Sequence, residues 1–173
     1  TKVPATVSGD YRPFVGDYFG AMGMSLLAGR GVQAGDAQGD RVAWVNQAFA
    51  RQYLGARDPI GARIAWKPGE ASAVSEPQWM RVAGIVSDVR GSSARVDDPP
   101  VVYAPYAQRE ADWIRFGTLV ARVNGDPASY REALAHAVRA GDPALPLGEV
   151  ASMTARSERV LARDRFMLQL VAL

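Results

Sequence analysis

His136 is the single histidine of this 173-residue chain, and cysteine is absent. A thiolate nucleophile, a disulfide and a Cys-based metal site are therefore excluded at the outset. Histidine does acid–base or ligand work only beside a nucleophile or a second ligand. His136 lies inside a helical run, Pro127 to Ala140, off the face formed by Tyr130, Leu134 and Val138, so it reads as an exposed or satisfied side chain. The carboxylates come next. Asp88 closes the most strand-like stretch, and Asp97-Asp98 precede Pro99-Pro100. Two acids in one cleft could hydrolyse a glycoside or hold a divalent cation. Here the pair is consecutive, sits in loop sequence and has no third acid at ligand spacing, which points to a solvated turn. Ser8-Gly9 and Ser92-Ser93 lack a G-x-S-x-G elbow, no G-x-G-x-x-G follows a strand, and there is no Walker lysine. Trp44, Trp66 and Trp79 fall on or beside strand sequence and read as core, with Tyr103 and Tyr106 for company. Trp113, after "QREAD", is the best candidate for an exposed aromatic contact.

The charge balance adds little chemistry. Lysine plus arginine number 20 against 18 acids, a net charge of +2, and only Lys2 and Lys67 are lysines. The arginines are scattered with acids between them, whereas nucleic-acid binding wants a clustered stripe. Nucleic acid is not an expected partner. The 48% hydrophobic and 22% charged shares are those of a folded soluble domain. "TKVPATVSGDYRPF" has no apolar core of signal-peptide length, and no complete membrane span is present. The charged run "ARSERVLARDR" is followed by the apolar "FMLQLVAL", Phe166 to Leu173.

The elements that must position these residues are strongly punctuated. A strand is expected near Tyr11 to Val15 and a short helix around Asp17 to Met22, ended by Gly23. "MSLLAGR" extends, and "QAGDAQGD" is a polar loop. "RVAWVN" is a strand whose Asn46 caps a helix running to Leu54, with Phe49 and Tyr53 on one face and Gly55 as a left-handed stop. Asp58-Pro59-Ile60-Gly61 fits a type I turn, and "IGARIAW" a half-buried strand. "KPGEASAVSEP" is a long loop. In "QWMRVAGIVSDVR", Val82, Gly84 and Val86 point one way and Ala83, Ile85 and Ser87 the other. After the "GSSARVDDPP" loop, "VVYAPYA" and "IRFGTLVARV" are strands. Asp126 and Pro127 start a helix that Gly141 closes, "LPLGEV" is a short strand, and a last helix starts at Ser152. The segment from Ile114 to Val150 thus reads as one βαβ unit, and the whole as α+β.

Five motifs stand in order: "VGDYFGAMGMSLLAGRGV", "VAWVNQAFARQYLGARDPIGARI", "WMRVAGIVSDVRG", "VVYAPYAQ" and "TLVARVNGDPASYREALAHAVRAGDPALPL". Together they resemble the periplasmic core domain of MacB/FtsX-type ABC transporter permeases, most of all the bacterial MacB-like permeases with two such regions per chain. The resemblance spans about Val15 to Leu173. It implies an α+β fold in which a sheet-rich, Sabre-like subdomain is inserted into a small α/β, porter-like βαβ subdomain. On that basis residues 1–40 begin the porter-like part, 41–113 form the Sabre-like part, 114–151 complete the porter-like part, and 152–173 lead into a transmembrane span. Relatives carry a further strand and helix before the "DYF" region, so the resemblance also implies a bare sheet edge open to strand exchange.

It further implies a non-catalytic domain on the periplasmic side of the inner membrane, without catalytic residues, cofactor or metal. Its partners would be a cytoplasmic ABC ATPase, a second permease copy, a periplasmic adaptor, and the membrane through flanking helices. The role would be to transmit ATP-driven motion to periplasmic cargo, in efflux or envelope transport. Two other readings stay open: a soluble module binding an apolar ligand or peptide around the tryptophans, and a hydrolase using Asp88, Asp97 or Asp98.

Overall fold

Alternating apolar residues make strands only where another backbone accepts their hydrogen bonds, and this chain gathers six such strands on one hub. In the computed structural model, residues 9–55, 58–66, 78–89, 99–108, 116–156 and 158–159 are described. The strands are β1 (Asp10–Phe14), β2 (Leu26–Gly29), β3 (Val42–Asn46), β4 (Arg63–Trp66), β5 (Gln78–Val86) and β6 (Val101–Pro105). Their order is β1-β6-β3-β5-β2, with β4 also on β5. β1–β6 and β3–β5 are parallel; β3–β6, β2–β5 and β4–β5 are antiparallel. β3 takes one edge of β5, and β2 and β4 share the other, end to end. Strands from residues 1–40 and from 41–113 thus lie in one sheet.

Two short helices cover its faces. α1 (Tyr18–Met22) is capped by Asp17, whose carboxylate accepts from Gly20 N–H at 3.0 Å, and ends at left-handed Gly23. It lays Tyr18 and Phe19 onto Phe14, Trp44 and Tyr103, with ring centroids 5.0–6.2 Å apart. Trp44 and Tyr103 are fully buried there. On the other face α2 (Gln47–Phe49) continues as a π-helical turn, Ala50–Leu54, and packs Phe49 and Tyr53 against Val45 and Val82.

Three sequence expectations are corrected inside this sheet. The alternation of β5 breaks at a bulge: Ala43 faces Val82 but Trp44 faces Gly84, leaving Ala83 as the extra residue. Val82 and Ile85 therefore join one cluster, and Ala83 and Val86 the other. The turn before β4 is centred one residue later than expected. Ala62 N–H donates to the Pro59 carbonyl, Gly61 takes φ +82°, and Asp58 accepts from Ile60 N–H, the pattern of a type II turn with an Asx lead-in. Gly55 does stop its helix with φ +62°, but its ψ of −143° lies outside the left-handed helical region.

The chain divides into two compact units, residues 1–89 with 97–120, and residues 90–96 with 121–173. In the second, Asp126 accepts from Ala128 N–H, a 3-10 turn Pro127–Tyr130 follows, and α3 runs Arg131–Gly141. The strands expected from "IRFGTLVARV" and "LPLGEV" are absent among the described residues: 116–123 and 146–150 carry no strand pairing. Apolar alternation without a facing backbone does not make a sheet. Ser152 caps the last described helical turn through Ala155 N–H at 3.1 Å. The loops at 67–77 and 90–98, together with "FMLQLVAL", lie outside the described residues. No helix among the described residues is long and apolar enough to cross a membrane.

Candidate functional site

The polar loop "QAGDAQGD" is where the structure concentrates its charged bonding. Arg30 leaves the end of β2, and Asp36 sits six residues on in a 3-10 turn, Ala34–Ala37. The two form a bidentate pair, with nitrogen–oxygen distances of 2.8 and 2.6 Å. One Asp36 oxygen also accepts from Gln33 N–H at 2.7 Å. The Arg30 guanidinium holds the buried Asp36 carboxyl below the usual carboxylate range, against the opposing effect of desolvation. Gln108, just after β6, clamps the same loop. Its amide donates to the Asp36 and Asp40 carbonyls and accepts from Val42 N–H at 2.9 Å.

The latch is locked onto the core through Trp44. The indole N–H donates to the Arg30 carbonyl at 2.7 Å, and the Arg30 guanidinium lies 5.7 Å from the ring centroid. Gly84 is required beneath it: a Cβ there would come within 2.7 Å of both the Arg30 oxygen and Trp44 Cδ1. A second knot ties β3 to β6. Buried Asn46 accepts from Phe49 N–H and Val101 N–H, at 3.0 and 2.8 Å, and donates to the Pro99 carbonyl at 2.9 Å.

The sequence candidates are distributed, not assembled. Asp88 accepts from Ala48 N–H at 2.9 Å and lies 3.6 Å from Arg51, so it serves the start of α2. His136 is exposed on α3, in an open groove of about 860 Å³ with Arg131, Glu132, Arg139 and Glu149. Among the described residues no three acids or histidines gather as metal ligands. Asp97, Asp98, Ser8, Ser92, Ser93 and Trp113 lie outside the described residues. Trp44 is core, as expected, and burial pushes the Tyr103 phenol up to about 12. Trp79 corrects the expectation of a core residue: it is 44% exposed on β5, with the Arg63 guanidinium 5.1 Å from its ring centroid. Tyr106 is exposed. A second cavity, of about 380 Å³, is lined by Phe14, Val15, Asp17, Tyr18 and residues 118–120.

The residues that sequence reasoning missed are Arg30, Asp36 and Gln108. An arginine and an aspartate six apart in a glycine-rich loop give a faint local signal. Gln108 acts across 66 to 72 positions and gives none.

An α+β domain whose buried polar side chains, Asp36 and Asn46 among the described residues, hold its own turns is a structural body before it is a reaction vessel. The MacB-like periplasmic core domain family has a model that matches residues 2–141, and the chain belongs to that family. Its fold is similar to the periplasmic region of MacB from Actinobacillus actinomycetemcomitans, at 17% identity and TM-score 0.47, covering 71% of this chain and 52% of that one. It is also similar to a domain of a protein described as a permease, from Porphyromonas gingivalis, at 18% identity and TM-score 0.37, covering 80% and 65%. The chain thus spans about half the length of the MacB region. No curated protein matches it.

Proposed function

We propose that this chain is a non-catalytic periplasmic domain of a MacB-type ABC transporter permease, passing ATP-driven motion from the membrane to a periplasmic cargo or partner. Membership of the periplasmic core domain family over residues 2–141 carries the reading. The physical support is stiffness. A moving element coupled to distant chemistry must keep its own shape, and here loops that would ordinarily be loose are bolted by Arg30–Asp36, Gln108 and Asn46.

In this reading the whole permease sits in the inner membrane and pairs with a cytoplasmic ATPase and a second permease copy, with a periplasmic adaptor as an additional partner. Residues 1–40 and 114–151 serve as the porter-like part, 41–113 as the Sabre-like part, and 152–173 lead to a membrane helix. The absence of cysteine makes the test direct. A cysteine placed at exposed Gln47 should react with a membrane-impermeant maleimide in intact cells whose outer membrane is permeabilised. Labelling only after lysis would overturn the reading.

One observation favours a second reading, a module for a small apolar ligand: the 380 Å³ cavity beside Phe14 and Tyr18. Saturable protection of Phe14 and Tyr18 resonances by an apolar ligand would support it.

A further inference from the structure

The β4–β5 hairpin carries an electrostatic conflict on its outer surface. Arg63 and Arg81 are directly opposite each other in the antiparallel register, and Ala65 faces Trp79 one step on. Directly opposed residues share a face, and so do residues two apart along a strand. Arg63, Arg81 and Trp79 therefore stand on one surface, and all three are exposed.

Like charges in this position repel. A fold normally relieves such a pair with an acid nearby, and here none does so among the described residues. Arg63 lies over Trp79, and neither arginine is in an ion pair. The acid whose field reaches Arg81 is Asp36, and both its oxygens are already held by Arg30. The flanking structure is rigid, since β4 and β5 are paired over four positions and β5 is backed by β3.

We propose that this face, Arg63, Arg81 and Trp79, is a docking surface for an acidic segment of a partner protein. The inference deepens the proposed role and rests on it for the presence of a partner outside the membrane. Two guanidinium forks at cross-strand distance match a pair of carboxylates, and a half-exposed indole gives an apolar seat beside them. A carboxylate pair would also remove the repulsion that the free domain leaves unrelieved. An anionic membrane surface fits less well, because stable electrostatic attachment takes a cluster of four to eight basic residues and this patch holds two.

The test uses the full 173-residue chain and a fluorescein-labelled hexaglutamate peptide, read by anisotropy at low and physiological salt. The wild-type chain should bind, with affinity falling as salt rises. R63E/R81E should weaken binding at least tenfold, and W79A severalfold. R131E/R139E, on α3 in the other unit, should leave it unchanged. The single variant R81E converts a repelling pair into an attracting one, so its melting temperature should rise while binding falls. That combination separates lost docking from lost folding.

No binding by the wild-type chain would overturn the proposal, as would binding insensitive to R63E/R81E or removed by R131E/R139E. Cosedimentation with vesicles of phosphatidylglycerol and phosphatidylethanolamine that depends on Arg63 and Arg81, without peptide binding, would assign the patch to a membrane and overturn it equally. None of these readouts involves ATP, so failure here and failure of the motion-transmitting role can be told apart.

Discussion

Replacing Asp36 by asparagine removes one charge from the latch and almost no volume. In the native loop the carboxylate takes two donors from Arg30, at 2.8 and 2.6 Å, and one from Gln33 N–H at 2.7 Å. Hydrogen bonds to charged groups are worth about 1.5–3 kcal/mol, and breaking a fully buried pair costs about 3–5 kcal/mol. The Asp36 side chain is only 8% exposed, but that of Arg30 is 32% exposed, so water can rehydrate the abandoned guanidinium. Asparagine also keeps an acceptor for Gln33 N–H. The expected loss is therefore near the lower end, about 2 kcal/mol, or a fall in melting temperature of about 6 °C for a unit of this size. The pH dependence supplies the signature. Arg30 holds the folded Asp36 carboxyl below its ordinary value, so its contribution is complete above the unfolded value of about 4 and disappears as pH falls through the folded one. Urea unfolding should show a constant gap between wild type and D36N from pH 8 to 5, closing on further acidification. A gap below about 0.5 kcal/mol at neutral pH, or one that persists at pH 2, would refute the reasoning.

Other outcomes follow from the same geometry. Gly84→Ala should destabilise by about 2–3 kcal/mol in urea unfolding, because Trp44 and the Arg30 carbonyl that the new methyl meets are locked to each other. Asn46→Ala strands two buried N–H donors and should cost about 3 kcal/mol. Spectrophotometric titration should show one of the six tyrosines ionising near 12, while Y103F removes that late step. The raised Tyr103 value adds stability below the unfolded value of about 10 and loses it as pH climbs through 12.

Much of this fold was legible because its signals are local. Asp17 and Gly23 bound α1, Asn46 caps α2, and Asp126-Pro127 open the 3-10 turn before α3, each by chemistry within four residues. What escaped depends on partners distant in sequence. The β5 bulge is visible only once Trp44 is set against Gly84, and Trp79 looked like core until β4 left its face open to water. The alternating run at 116–123 read as a strand because alternation reports a capacity to pair, and pairing needs a second backbone. The Arg30–Asp36–Gln108 latch failed to announce itself for a simpler reason: a polar, glycine-rich loop gives the same composition whether it is loose or bolted.

The central claim is that this domain moves as a stiff body under work done elsewhere. Spin labels at Gln47 in both copies of the full-length permease dimer report the separation between domains, and labels at Gln47 and Leu27 in one copy report its internal shape. On adding ATP in the presence of the ATPase, the distance between copies should change while the internal distance stays fixed. An unchanged separation during turnover, or an internal distance that changes with it, would contradict the account.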